Sequence, residues 1–176
     1  LVDASGAPYP AGEGSTPLAL RIARAPVIRD IASSITPRSL IAASFAGAVS
    51  NKAVMTPAMI DRYWELLRYP GNRAATLDRF AQCYSSVSPA DLARIDAPVL
   101  ILWGREDRFI PVDSAAYFAR NLRHSRTIVY DGVGHLPMEE APDRSAADVG
   151  RFIAGLARQT PPDNAPSPAP SARPAR

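Results

Sequence analysis

Cysteine is all but missing from the chain. Cys83 is the one thiol among 176 residues, so neither an internal disulfide framework nor a cysteine-built metal site can form. Lysine is as scarce: Lys52 is the one lysine among the 20 Lys+Arg residues, and the arginines are scattered singly from Arg21 to Arg176. Such scatter lacks the clustered basic footprint of a phosphate-tracking surface, which excludes nucleic acid as a partner despite a pI of 9.4. No apolar run approaches the roughly 18 residues of a membrane span. A starting methionine is missing as well. Leu1-Val2-Asp3-Ala4-Ser5-Gly6 reads as the end of a strand entering a loop. A start inside an element means that the chain is expected to be cut from something longer or processed, and no charged and apolar targeting signal is visible.

What the chain does have is the balance of a globular domain, with 47% apolar residues, 21% charged residues and a formal net charge of +3. Four zones follow one another. Residues 1–14 combine a strand end with a Gly/Pro-rich connection. Residues 15–96 are helical in pattern, 97–158 alternate strand, helix, strand and helix, and 159–176 form a tail. The tail holds six prolines between Thr160 and Arg176 and has too little apolar area to offset its ordering entropy, so disorder is expected.

Within the helical zone, Leu18 to Ile35 is broken at Pro26. Thr56-Pro57 pairs a capping hydroxyl with a proline at the first helical position, followed by Ile60, Trp64 and Leu67 at helical spacing with Tyr63 on the flank. Leu77, Phe80 and Tyr84 mark another apolar period, and Ser88-Pro89-Ala90-Asp91 opens a short helix through Ile95. After Pro98 the character changes. Val99 to Trp103 is a continuous apolar run ended by Gly104, the pattern of a strand buried on both faces of a parallel sheet. A helix over Asp113–Leu122, with Ala116, Ala119 and Leu122 on one side, leads to a second strand over Arg126–Asp131. A last helix starts near Ala141-Pro142 and carries Ala146, Val149, Ile153 and Leu156 in a row, with Phe152 beside them. This alternation predicts an open α/β sheet.

Two islands stand where the strands end: Gly104-Arg-Glu-Asp107-Arg-Phe-Ile-Pro111, and Gly132-Val-Gly-His135-Leu-Pro-Met-Glu-Glu140-Ala-Pro142. In open α/β sheets chemistry gathers beyond the carboxyl ends of the strands. Neighbouring strands lie about 4.8 Å apart, so loops leaving them can bring a carboxylate to one imidazole nitrogen. There it fixes the tautomer and stabilises the imidazolium formed when the histidine takes a proton. Gly132 and Gly134 let the backbone turn sharply around His135.

These islands, with the strands before them, resemble the C-terminal third of α/β-hydrolase fold enzymes. The nearest match is the cap-bearing group of esterases, epoxide hydrolases and carbon–carbon bond hydrolases. The resemblance implies an α/β fold made of the C-terminal portion of an α/β-hydrolase sheet with a helical cap insertion at 15–96, an incomplete domain. It implies Asp107 as the catalytic acid and His135 as the general base, in the family's order along the chain. Gly-x-Ser-x-Gly occurs nowhere in the sequence, so the nucleophile, Ser or Asp, is expected upstream of Leu1. A carboxylic ester is the substrate the resemblance favours, with epoxide or haloalkane hydrolysis by an Asp nucleophile, or a non-catalytic binding module, as alternatives. The partner is a small molecule, and no metal or cofactor is called for.

Other residues have plainer readings. Asp3 also ends a strand and rivals Asp107 as the acid, and Asp113 is the better placed of the two later aspartates to cap a helix. Phe109, Trp64 and Tyr84 are the candidates to line a substrate pocket, against a reading as cap core. Tyr63, Tyr69 and Phe80 are weighed the same way. His124 is an exposed loop residue, Cys83 packs in a helix, and Arg73 and Arg79 are solvated surface rather than acid-binding groups. Glu139 and Glu140 favour the N-terminal end of the last helix through its dipole. A sheet cut before Leu1 exposes an apolar edge, so residues 1–176 alone are expected to be poorly soluble and hydrolytically silent. The single cysteine favours the cytoplasm, with a membrane anchor upstream of Leu1 left open.

Overall fold

The computed structural model describes residues 1–8, 18–82 and 86–159. The apolar run after Pro98 forms β1 (Val99–Gly104), and its residues from Leu100 onward are buried. It pairs in parallel with β2 (Ser125–Tyr130), in a register that sets Val99 against Ser125 and Gly104 against Tyr130. The chain start adds a single bridge on the far side of β1, Val2 to Leu102, rather than a full strand. Leu102 donates its N–H to Leu1 O at 2.9 Å, and its carbonyl accepts from Asp3 N at 3.1 Å. The second strand is thus shifted one residue from the expected Arg126–Asp131. Tyr130 closes it because its side chain is buried, whereas Asp131 turns outward to pair with Arg105.

Helices cover both faces of this small sheet. On one, Ile101 and Trp103 pack against Ala115, Phe118 and Leu122 of α7 (Asp113–Asn121) and its C-cap, together with Ala7 and Leu92. Leu92 lies in α6 (Pro89–Leu92), shorter than expected, which puts the last turn of the helical zone with the sheet rather than with the other helices. On the opposite face, Leu100, Leu102, Tyr130 and Val133 pack against Ala141, with Phe152 of α9 (Pro142–Gln159) alongside. Between β2 and α9 stands α8 (Pro137–Glu140), a single turn of helix ahead of the expected start near Ala141-Pro142.

The remaining helices are α1 (Leu18–Ala23), α2 (Pro26–Ser34), α3 (Arg38–Ala48), α4 (Pro57–Arg68) and α5 (Asn72–Ala81). Their boundaries follow local chemistry. Pro26 opens α2, and Thr56 caps α4 by accepting Met59 N–H at 3.2 Å. Ser88 caps α6 by accepting Asp91 N–H at 3.1 Å. Trp64 joins α4 to the end of α2 by donating its indole N–H to Thr36 O at 2.8 Å, and its ring receives the Arg68 guanidinium at 4.3 Å. Among the described residues, strands occur only in the C-terminal half. No helix there is long and apolar enough to cross a membrane.

Candidate active site

The loops leaving β1 and β2 are laced together before any side chain of interest is reached. Arg105 N donates to Tyr130 O at 3.0 Å and Glu106 N to Val133 O at 2.9 Å. The Glu106 carboxylate in return accepts Val133 N–H at 3.0 Å. Asp107 and His135 come next in the two loops, and they meet: His135 Nδ1 lies 2.8 Å from Asp107 Oδ2. The Asp107 side chain is fully buried, and that of His135 is 26% exposed. Asp107 Oδ1 accepts the N–H groups of Phe109 at 2.8 Å and Ile110 at 3.1 Å, so both carboxylate oxygens are held. Ile110 is itself tied to the core through its carbonyl, which accepts the indole N–H of buried Trp103 at 3.2 Å.

Further contacts hold the imidazole and its loop. His135 N donates to Ala48 O at 2.8 Å, which docks the loop on the end of α3. The Phe109 ring stands edge-on to the imidazole, with centroids 5.3 Å apart and an interplanar angle of 68°. Glu140 Oε1 accepts Gly134 N–H at 2.8 Å, while its Oε2 accepts Ser50 N–H at 2.8 Å and Asn51 N–H at 2.9 Å. Gly132 takes the left-handed turn, with φ of 78°. Gly134 is required for a different reason: a Cβ there would lie 2.5 Å from Ala48 O and 2.8 Å from Ser50 N.

A carboxylate can only accept, so the proton of this pair sits on Nδ1 and Nε2 is left as the basic nitrogen. Burial alone would pull the imidazole's pKa down. The hydrogen bond and charge of Asp107, with the nearby charge of Asp3, outweigh it, and His135 is held above its ordinary 6.5. Asp3, the rival acid, is buried beside the pair but does not bond to the ring; its Oδ1 accepts Gly104 N–H at 2.8 Å. One atom each from Asp3, Asp107 and His135 falls within 4.8 Å of the others, the spread of a metal-ligand set.

The other expected site residues divide. Phe109 touches His135, as described. Trp64 donates its N–H to Thr36 O and stacks its ring under Arg68, and shares neither partner with the Asp107–His135 pair. Tyr84 and Cys83 lie outside the described residues. Arg79 and His124 are exposed. Arg73 is half-buried instead of solvated, and its buried Nε lacks a partner. It lines an apolar hollow among α1 to α5, with Ile41, Leu67, Leu77 and Phe80, that shares no lining residue with the Asp107–His135 pair. Asp113 does not cap α7, whose N-cap is Val112 with no side-chain bond. Glu139 and Glu140 do not sit at the last helix's start but in α8. There Glu139 accepts the Tyr63 hydroxyl at 2.6 Å and Arg62 at 2.6 Å, fastening α4 to the histidine loop. Sequence spacing gave no sign of the Glu140 contacts to Ser50 and Asn51, which lie 90 and 89 residues away along the chain.

The chain has recognisable relatives. A 44-residue segment is 43% identical to a 2-hydroxy-6-oxononadienedioate/2-hydroxy-6-oxononatrienedioate hydrolase of Pseudomonas putida, covering 25% of this chain and 15% of that protein. A 65-residue segment is 31% identical to Lipase 3 of Moraxella sp., covering 37% of this chain and 21% of the lipase. In fold, the chain is similar to the meta-cleavage product hydrolase of Pseudomonas fluorescens IP01, with a TM-score of 0.67 at 17% identity. That match covers 89% of this chain and 55% of the hydrolase, so the chain spans about half the length of its solved relative. The sequence pattern of the alpha/beta hydrolase family matches residues 1–148, a stretch that runs through the chain-start bridge, both strands and both loops. With strand ends, acid loop and histidine loop all inside that one match, the chain belongs to the alpha/beta hydrolase family.

Proposed function

We propose that this chain supplies the acid and base of a hydrolase acting on a small, mostly apolar carboxylic ester. The observation that carries the reading is the 2.8 Å contact between His135 Nδ1 and buried Asp107 Oδ2. It leaves Nε2 as the nitrogen that takes a proton. In the proposed cycle His135 Nε2 accepts the proton of a nucleophile, which attacks the ester carbonyl, and returns it to the departing alkoxide; it then takes a proton from the water that attacks the acyl intermediate and passes it to the freed nucleophile as the acid leaves. Asp107 holds the ring and stabilises the imidazolium formed between those steps. The nucleophile and the oxyanion donors lie, on this reading, outside these 176 residues. The helices α1 to α5 serve as the cap, and Phe109 forms an apolar wall beside the imidazole. The cytoplasm is the proposed compartment.

Ester chemistry is supported by the 31% identity to a lipase over 65 residues. A second reading, hydrolysis of a carbon–carbon bond in an acidic ring-fission product, is favoured by the 43% identity to the Pseudomonas putida hydrolase over 44 residues. The same pair serves both. Side-by-side kinetics of the full-length protein on p-nitrophenyl butyrate and on 2-hydroxy-6-oxononadienedioate separate them. The ester is expected to show at least about tenfold higher kcat/KM, a difference of about 1.4 kcal/mol in the barrier. The reverse preference replaces the first reading with the second. No turnover of either contradicts both.

A further inference from the structure

Asp3 is a buried carboxyl that neither the fold nor the Asp107–His135 contact explains. The parallel bridge at Val2 holds the chain start against β1, and the next residue turns into the left-handed region with φ of 40°. Among the described residues it is the one non-glycine that does so. The residue is 4% exposed. One oxygen, Oδ1, is pinned by Gly104 N–H at 2.8 Å, at the last residue of β1. The other, Oδ2, is buried with no partner. A buried polar atom without a partner is costly, and anchoring Gly104 alone needs only one acceptor oxygen. The charged and titratable groups that face this carboxyl are Asp107 from the β1 loop, His135 from the β2 loop and Glu140 from α8.

We infer that Asp3 is a positioning residue, a second carboxyl set beside the Asp107–His135 pair whose charge state sets the basicity of His135. The inference rests on the reading of His135 as the general base and adds to it where that basicity comes from. Burial pushes the Asp3 carboxyl up to about 7. The Gly104 hydrogen bond works against that rise, the negative charges of Asp107 and Glu140 with it, and His135 against it. Asp3 therefore passes from neutral to charged across the neutral range. Once charged, it adds a second anion that favours the imidazolium. The two groups then titrate as a coupled set rather than singly.

The test is the titration of the His135 imidazole in the full-length protein, followed by NMR with exposed His124 as the internal reference. Asp3→Asn keeps an acceptor for Gly104 and tolerates the left-handed backbone. Asp3→Gly removes the carboxyl with the least backbone strain, and serves if the amide disturbs folding. Either variant is expected to lower the His135 midpoint by about half a pH unit or more, with His124 unmoved, and to move the acid limb of kcat/KM the same way. A His135 midpoint unchanged in both variants overturns the inference. A purely structural carboxyl would change the melting temperature and leave that midpoint in place. The titration needs no turnover, so it is decided separately from the hydrolase reading, which fails on kinetics.

Discussion

Glu140 commits both carboxylate oxygens to backbone N–H groups, one on the histidine loop and two on the turn after α3. Glu140→Ala would leave three donors without that acceptor, and is expected to lower unfolding stability by about 2–4 kcal/mol in denaturant titrations. It should also lower kcat/KM without contact to substrate, because His135 loses its footing, and Glu140→Gln should recover part of both. Gly134→Ala makes a complementary test. Its Cβ would collide with Ala48 O and Ser50 N, backbone atoms that cannot rotate away, and a loss of at least about 2 kcal/mol is expected. At this scale the chain was partly legible. Asp107 and His135 could be picked out because each follows a strand by a few residues, and strand ends are where loops converge. Their support was less legible: Ala48, Ser50 and Asn51 reach the histidine loop from α3 and the turn after it, more than 80 residues back along the chain.

Helix faces were harder to read than helix positions. In α7 the expected row was Ala116, Ala119 and Leu122, yet Ala116 is exposed and the buried side carries Ala115, Phe118 and Leu122. Phe118 settles the rotation: its ring packs 6.2 Å from that of Trp103, and a small-residue row cannot compete with that buried area. In α9 the row Val149 and Ile153 lies outward, 38% and 59% exposed, while Ser145 and Asp148 are buried. A polar contact sets this face. The Tyr130 hydroxyl donates to Asp148 Oδ2 at 2.8 Å inside the core, and burial, followed by that bond, pushes the phenol up to about 12. Tyr130→Phe is expected to lower stability by about 1–2 kcal/mol, because Asp148 loses its buried donor and keeps only Arg151. Thermal denaturation of the variant against the parent reads it directly.

For the molecule as a whole, Asp3 and His135 set a pH dependence of the same sign. Both carry folded pKa values above their ordinary ones, so each contributes stability that is complete below its ordinary pKa and is lost as pH rises through the folded value. For Asp3 that window runs from 3.8 to about 7. Melting temperatures of the full-length protein are expected to fall between about pH 5 and 8, and Asp3→Asn should flatten the fall. A steeper fall in the variant would contradict the assignment. The sheet itself was legible in outline, as two parallel strands and a bridge, but only β1 is buried on both faces: β2 is exposed over Ser125–Thr127 and buried only at Tyr130. The chain-start edge of that sheet leaves Leu1 45% and Val2 42% exposed.

One measurement bears most directly on the pairing of Asp107 with His135: kcat/KM for p-nitrophenyl butyrate hydrolysis by the full-length protein and by its His135→Ala variant. If the imidazole held by Asp107 is the base, the variant loses at least about 10³-fold, nearly all of it in kcat. A variant within about tenfold of the parent, with its fold intact by thermal denaturation, would mean that the proton is taken elsewhere and that this pair is not the centre of the chemistry.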